Sequence, residues 1–149
     1  MSEPKFVHLR VHTAYSLSEG AMPVPKLIHK LHDQGVAAVA VTDTANIFGG
    51  KAFSKYASDE GIKPILGAQF YLRNPDSQDL LKCKGRIVEP DKIVLLVMNA
   101  EGYGNIMHLM KRAYLDLPSP QEKPQITLAD LEKFNAGLIM LTGGVEGPL

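Results

Sequence analysis

Apolar and polar residues alternate with a period of two along Phe6-Val7-His8-Leu9-Arg10-Val11-His12-Thr13. Val7, Leu9 and Val11 fall on one side, and His8, Arg10 and His12 on the other. The pattern predicts a strand over Phe6–Val11 whose polar side carries two imidazoles and a guanidinium, a composition suited to a cleft or barrel mouth. From Val24 to about Gln34 the period lengthens to that of a helix, with Val24, Leu27, Ile28 and Leu31 on one stripe. Pro23 and Pro25 suit its start and Gly35 its end. His29 and His32 fall on its wet side.

Val36–Thr42 is almost wholly apolar, the mark of a strand buried on both faces. It runs out into Thr42-Asp43-Thr44-Ala45-Asn46, polar residues placed where the ends of parallel strands carry functional loops. A helix is expected from about Ile47 to Asp59, then a strand over Ile62–Leu72. The mixed-charge stretch from Asn74 to Pro90 reads as an exposed excursion. A strand over Lys92–Met98 follows, then a helix from about Gly102 to Leu115 with Ile106, Leu109, Met110, Ala113 and Tyr114 on one stripe. Leu117 to Pro124 reads as a loop. Thr127 with Asp130 forms a capping-box pattern for a short helix that buries Leu128, Leu131 and Phe134. A fifth strand, Gly137–Leu141, ends in Thr142-Gly143-Gly144. Strands alternating with helices imply an α/β fold with a parallel sheet, and periodicity alone leaves a doubly wound sheet and a barrel both open.

Composition narrows the function. Of 149 residues, 16 are Lys or Arg and 16 are Asp or Glu, so the net charge is zero and no general basic surface for nucleic acid is present. Cys83 is the single cysteine, which excludes an internal disulfide and fits a reducing, cytoplasmic setting. No apolar run approaches a membrane span. The glycine-rich strand end lacks the spacing of a dinucleotide or P-loop motif.

The candidate chemistry sits on the first strand. An H-x-H pair can hold a metal, but the middle of the His8-x-Arg10-x-His12 row is a cation that cannot ligate. Asp43 can cap the following helix or pair with a cation. Tyr103 and Asn105 are expected to fix a helix start.

Five segments carry a resemblance: Phe6–Thr13, Thr42-Asp43-Thr44-Ala45-Asn46-Ile47-Phe48-Gly49, Gly61-Ile62-Lys63-Pro64-Ile65-Leu66-Gly67, Asn99-Ala100-Glu101-Gly102-Tyr103-Gly104-Asn105 and Gly137–Gly144. In this order and spacing they resemble the PHP (polymerase and histidinol phosphatase) domain, in the form found at the N-terminus of bacterial replicative DNA polymerase III alpha subunits. The resemblance implies a distorted (β/α)7 barrel of which residues 1–149 supply the first five or so βα units, the rest of the barrel and the polymerase domains lying beyond.

In metal-binding members of that family a three-metal cluster sits at the barrel mouth. Carried over by resemblance, its ligand positions fall on Arg10, His12, Glu19, Thr44, Gln69, Lys92 and Gly144. Of these, His12 is kept and Glu19 exchanges one carboxylate for another. Two are now cations, two are neutral amide or hydroxyl groups and one has no side chain. No metal is therefore expected; any residual ligands would come from His12, Glu19, Asp43 and His8. A structural ion pair of Arg10 with Glu19 or Asp43 is expected in place of the cluster. The resemblance further implies a non-catalytic scaffold that docks the epsilon proofreading exonuclease and joins other replicase subunits. Mg²⁺ and DNA contacts would belong to the polymerase domains. The alternative is a Zn²⁺- or Mn²⁺-dependent phosphoesterase or 3′–5′ exonuclease.

Overall fold

The computed structural model describes residues 6–73, 89–117 and 122–148. Its elements are α1 (Val24–Asp33), β1 (Ala38–Val41), α2 (Gly50–Asp59), β2 (Lys63–Leu72), β3 (Asp91–Val97), α3 (Ala100–Leu115), β4 (Gln125–Ile126), α4 (Leu128–Lys133) and β5 (Leu138–Leu141), closed by a 3-10 turn at Gly144–Glu146. The five strands run in the order β1-β2-β3-β5, with β4 beside β2. The chain divides into two compact units, Met1–Gln69 and Phe70–Leu149.

In the first unit β1 pairs in parallel with the start of β2, Ala38 opposite Lys63 and Val41 opposite Leu66. The near-continuous apolar run of β1 has its explanation here: Val39, Ala40 and Val41 are all buried. α1 and α2 turn their apolar stripes, Leu27, Ile28 and Leu31 with Phe53 and Ala57, onto a core shared with Val39, Val41 and Ile62. His29 and His32 lie outside it, each 3.8 Å from a carboxylate, of Asp33 and Glu60 respectively.

The predicted first strand is a correction. Phe6–Val11 is extended but makes only one parallel bridge, His8 with Val39. Beyond the bridge the contact is mixed: the Thr42 amide donates to the Val11 carbonyl at 2.8 Å, while the Thr42 hydroxyl accepts from the Val11 amide at 3.0 Å and donates to the Val11 carbonyl at 3.2 Å. Only Val11 of this segment packs against the core, while Leu9 remains exposed.

In the second unit the end of β2 pairs in parallel with β4, Tyr71 opposite Gln125, whereas β3 pairs antiparallel with β5, Val94 opposite Leu141. The all-parallel expectation fails at this last pair. Gly137, at φ +71°, turns the chain back, and its carbonyl accepts from the Met98 amide at 2.9 Å at the end of β3. The same carbonyl leaves no room for a side chain at Gly102, where a Cβ would lie 1.9 Å away. The start of α3 is fixed by Asn99, whose side chain accepts from the Gly102 amide at 2.9 Å, rather than by Tyr103 or Asn105. Asn105 instead donates to the Ala136 carbonyl at 2.8 Å. Thr127 and Asp130 form the expected capping box on α4, and Leu131 is buried there, but Leu128 is 60% exposed. Phe134 stacks on His108 with ring centroids 5.1 Å apart. Cys83 and most of the stretch from Asn74 to Pro90 lie outside the described residues.

Candidate functional site

Two loops and one strand residue build the site, all in the first unit. The first loop follows the extended segment and runs from His12 to Gly20; the second, Thr42–Gly49, leaves β1. Gln69 comes from β2. Six polar residues here are buried: Thr13, Ser16, Thr42, Asp43, Asn46 and Gln69. A buried polar group is tolerated only when its hydrogen bonds are made, and among the described residues no buried side-chain nitrogen or oxygen is left without a partner.

Asp43 is the centre of the arrangement. Its Oδ1 accepts from the Thr13 amide and the Ser16 hydroxyl, both at 2.6 Å, and its Oδ2 accepts from the Thr13 hydroxyl at 2.7 Å. Its partners are neutral donors, so the expected pairing of Asp43 with Arg10 does not form, nor does Asp43 cap α2, whose N-cap is Gly49. Ser16 extends the tie, its Oγ accepting from the Thr44 amide at 3.1 Å. Asn46 completes it by donating to the carbonyls of Tyr15 and Thr44, both at 3.0 Å. Two non-glycine residues with positive φ, Ser18 at 66° and Ala45 at 53°, sit one in each loop. Such backbone persists where the surroundings over-determine it.

A second chain of hydrogen bonds runs beside the first. Arg10 donates from Nε and from a terminal guanidinium nitrogen to Gln69 Oε1, at 3.1 and 2.6 Å. Gln69 Nε2 donates to the Thr44 hydroxyl at 2.9 Å, and that hydroxyl donates to Glu19 Oε2. His12 Nδ1 lies 3.3 Å from the same Glu19 oxygen, 3.2 Å from Ser16 Oγ and 3.4 Å from Thr44 Oγ1. The structure thus brings together Arg10, His12, Glu19, Thr44 and Gln69 of the positions read from the sequence. His8 is exposed and its ring meets Phe6 edge-on at 4.8 Å. Lys92 and Gly144 belong to the second unit, where Lys92 Nζ is 3.2 Å from Glu146 Oε1 and Gly144 opens the 3-10 turn.

The donor set does not fit a metal cluster. Ligands must be thiolate, carboxylate or neutral imidazole, converging on one point. Among the described residues no three His, Cys, Asp or Glu side chains do so. The Asp43 oxygens are filled by three donors, the His12 nitrogen that faces Glu19 is within reach of two hydroxyls as well, and a guanidinium holds the Gln69 oxygen.

The PHP domain model matches residues 8–149. The chain belongs to the PHP domain family. Among named relatives, this PHP chain is 39% identical over 147 residues to DNA polymerase III subunit alpha of Vibrio cholerae, covering 99% of the chain and 12% of that protein. The corresponding subunit of Pseudomonas fluorescens is 39% identical over 97% of the chain and 11% of its own length, and that of Caulobacter vibrioides 35% over 97% and 12%. The chain therefore spans about 12% of the length of the relatives it matches.

Two solved structures share the fold. One is an amidohydrolase from Chromobacterium violaceum with bound sulfate and no metal, at TM-score 0.53 and 19% identity over 72% of this chain and 32% of that one. The other is a candidate metal-dependent phosphoesterase from Bifidobacterium adolescentis, at TM-score 0.53 and 15% identity over the same shares. At these identities the likeness speaks for the α/β fold alone.

Thr13 and Ser16 are the site residues that sequence reasoning missed. A Thr-x-x-Ser pair in a loop with no apolar period, facing an Asp at the end of a buried strand, was the available signal.

Proposed function

We propose that this PHP chain is the N-terminal portion of a replicative DNA polymerase III alpha subunit, and that it acts there as a non-catalytic scaffold. The parent protein would be a DNA-directed DNA polymerase using Mg²⁺ in its polymerase domains. The scaffold would dock the proofreading exonuclease subunit alongside other replicase components. The likeness to the Vibrio cholerae alpha subunit over 99% of the chain supports the parentage. The observation that carries the scaffold reading is the Arg10–Gln69–Thr44–Glu19 relay, which fills with hydrogen bonds the place a metal-binding relative would fill with ions. Such a relay, in which Arg10 holds Gln69 and Gln69 holds the Thr44 hydroxyl beside Glu19, supports a structural tie in place of coordination.

A second reading, a metal-dependent phosphoesterase or exonuclease, draws on the Bifidobacterium neighbour and on the His12–Glu19 pair. Metal catalysis needs an open coordination position beside a nucleophilic water, and one imidazole with one carboxylate is too small a set to hold the ion. The two readings part on a single assay. The purified chain, incubated with Zn²⁺ or Mn²⁺, is expected to give no hydrolysis of a phosphomonoester or of single-stranded DNA above the buffer rate. Metal-stimulated turnover that His12→Ala abolishes would reject the scaffold reading.

A further inference from the structure

The relay beside Asp43 has a fixed direction, and that direction decides the state of His12. Arg10 has only donors, and two of them end on Gln69 Oε1, at 3.1 and 2.6 Å. The amide nitrogen of Gln69 therefore faces Thr44, whose hydroxyl oxygen accepts from it at 2.9 Å. The Thr44 hydrogen is left for Glu19 Oε2. Ser16 is committed in the same way, donating its hydrogen to Asp43 Oδ1 at 2.6 Å.

His12 Nδ1 lies 3.3 Å from Glu19 Oε2, 3.2 Å from Ser16 Oγ and 3.4 Å from Thr44 Oγ1. Each of these oxygens can offer it only lone pairs. A bare Nδ1 would set its own lone pair against all three, one of them on a carboxylate. Neutral imidazole carries one hydrogen, and the bonds its nitrogens make select which of them holds it. Here that nitrogen is Nδ1, and the lone pair is left on Nε2. Every bond His12 makes among the described residues is through Nδ1, and its side chain is 18% exposed. The other histidines differ. His29 and His32 turn Nε2 itself toward a carboxylate, 3.8 Å from Asp33 and Glu60. His108 stacks on Phe134, and His8 meets Phe6 edge-on.

We infer that Glu19 holds His12 as the Nδ1–H tautomer and that Nε2 is a nucleophile toward activated acyl compounds, a site of acylation that needs no metal. Nε2 forms a bond to the acyl carbon, and the leaving group departs with the electron pair of the bond that breaks. The acylated ring is then cationic, and its Nδ1 proton passes through Glu19 and water to the leaving group, which restores a neutral ring. Glu19 is the positioning residue and the first proton acceptor in this step. The inference does not rest on the scaffold reading.

The test uses the whole chain with ¹⁵N-histidine and excess EDTA at about pH 8, above the ordinary histidine range. Long-range ¹H–¹⁵N spectra are expected to show His12 with a protonated Nδ1 and a bare Nε2. Diethyl pyrocarbonate, an activated carbonate whose leaving half ends as ethanol and carbon dioxide, is the acyl probe. Peptide mapping reads the modification rate of each histidine, with His29 and His32 as references inside the same molecule. Glu19→Gln keeps an oxygen for Nδ1 but removes the proton acceptor. It should slow His12 roughly tenfold against the references, the low end of the loss when a partner that orients a histidine is removed. Glu19→Leu removes the oxygen as well and should let the Nε2–H tautomer appear in the spectra. A protonated Nε2 in the native chain, a His12 that the probe leaves unmodified, or a His12 rate unchanged against the references in Glu19→Gln would overturn the inference.

Discussion

Asp43 ties together two loops that the chain separates by some thirty residues, and the energy of the site turns on it. Three short hydrogen bonds from Thr13 and Ser16 end on its two oxygens at 2.6–2.7 Å, and the residue is 2% exposed. Asp43→Ala removes the acceptor and leaves a buried amide and two buried hydroxyls to find new partners. An unsatisfied buried donor costs about 1–3 kcal/mol, so a loss of about 3 kcal/mol or more is expected as a lower urea midpoint at unchanged slope. Asp43→Asn should cost less. With its amide nitrogen at the Oδ2 position it faces the Thr13 hydroxyl, which can rotate to accept, while the carbonyl keeps the other two donors. Equal losses for the two variants would refute this account. Read from the sequence, Asp43 is a carboxylate at a strand end with two ordinary uses, capping and ion pairing. Its actual donors come from a loop of no periodicity, and nothing local marks Thr13 and Ser16 as its partners. Arg10 and Gln69 were legible as non-coordinating residues, but their bond to each other, across 59 residues, is visible only in three dimensions.

What an element can be read for depends on the range of the interactions that make it. The capping box of α4 was legible because Thr127 and Asp130 bond across three residues. The same closeness sets a pH dependence. Burial alone would raise the Asp130 carboxyl, but the Thr127 hydroxyl and amide and the Arg112 guanidinium outweigh it and hold the group below its ordinary value. A folded-state value below the unfolded one stabilises the fold above the unfolded pKa, and the contribution is lost as pH falls through the folded value. Urea midpoints taken from about pH 6 down to pH 2 should therefore fall more steeply for the native chain than for Thr127→Ala. The same variant should lose about 1 kcal/mol at neutral pH. Parallel acid limbs for the two proteins would show that Thr127 does not set the value. The first segment is the opposite case. Its clean alternation called for a strand, yet it makes one bridge, and Val11 is met by the amide and the hydroxyl of Thr42, 31 residues on. β5 was legible as a strand, while its direction depended on Gly137 meeting the end of β3, a contact no periodicity encodes.

At the scale of the whole molecule, the α/β alternation and the PHP resemblance were readable because they rest on apolar runs and five short motifs, and the PHP family matches residues 8–149. The polar network around Asp43 and Gln69 is a different matter, because it depends on how side chains from the two loops and β2 converge. An ion bound only to the folded state adds stability that grows with the logarithm of its concentration, about 2.7 kcal/mol at a hundredfold excess over Kd. For a domain of this size that would raise the melting temperature by about 5 °C or more. A fold held by hydrogen bonds from Thr13, Ser16, Thr44 and Gln69 gains nothing of the kind. Melting curves recorded with excess EDTA, without additive, and with excess Zn²⁺ or Mn²⁺ are accordingly expected to coincide within a degree or so. A drop with EDTA, restored by one metal and absent in His12→Ala, would mean that His12 and Glu19 still recruit an ion and that the relay is its outer shell. The three curves separate the two cases without any assay of activity, since they report what the loops are bound by rather than what they turn over.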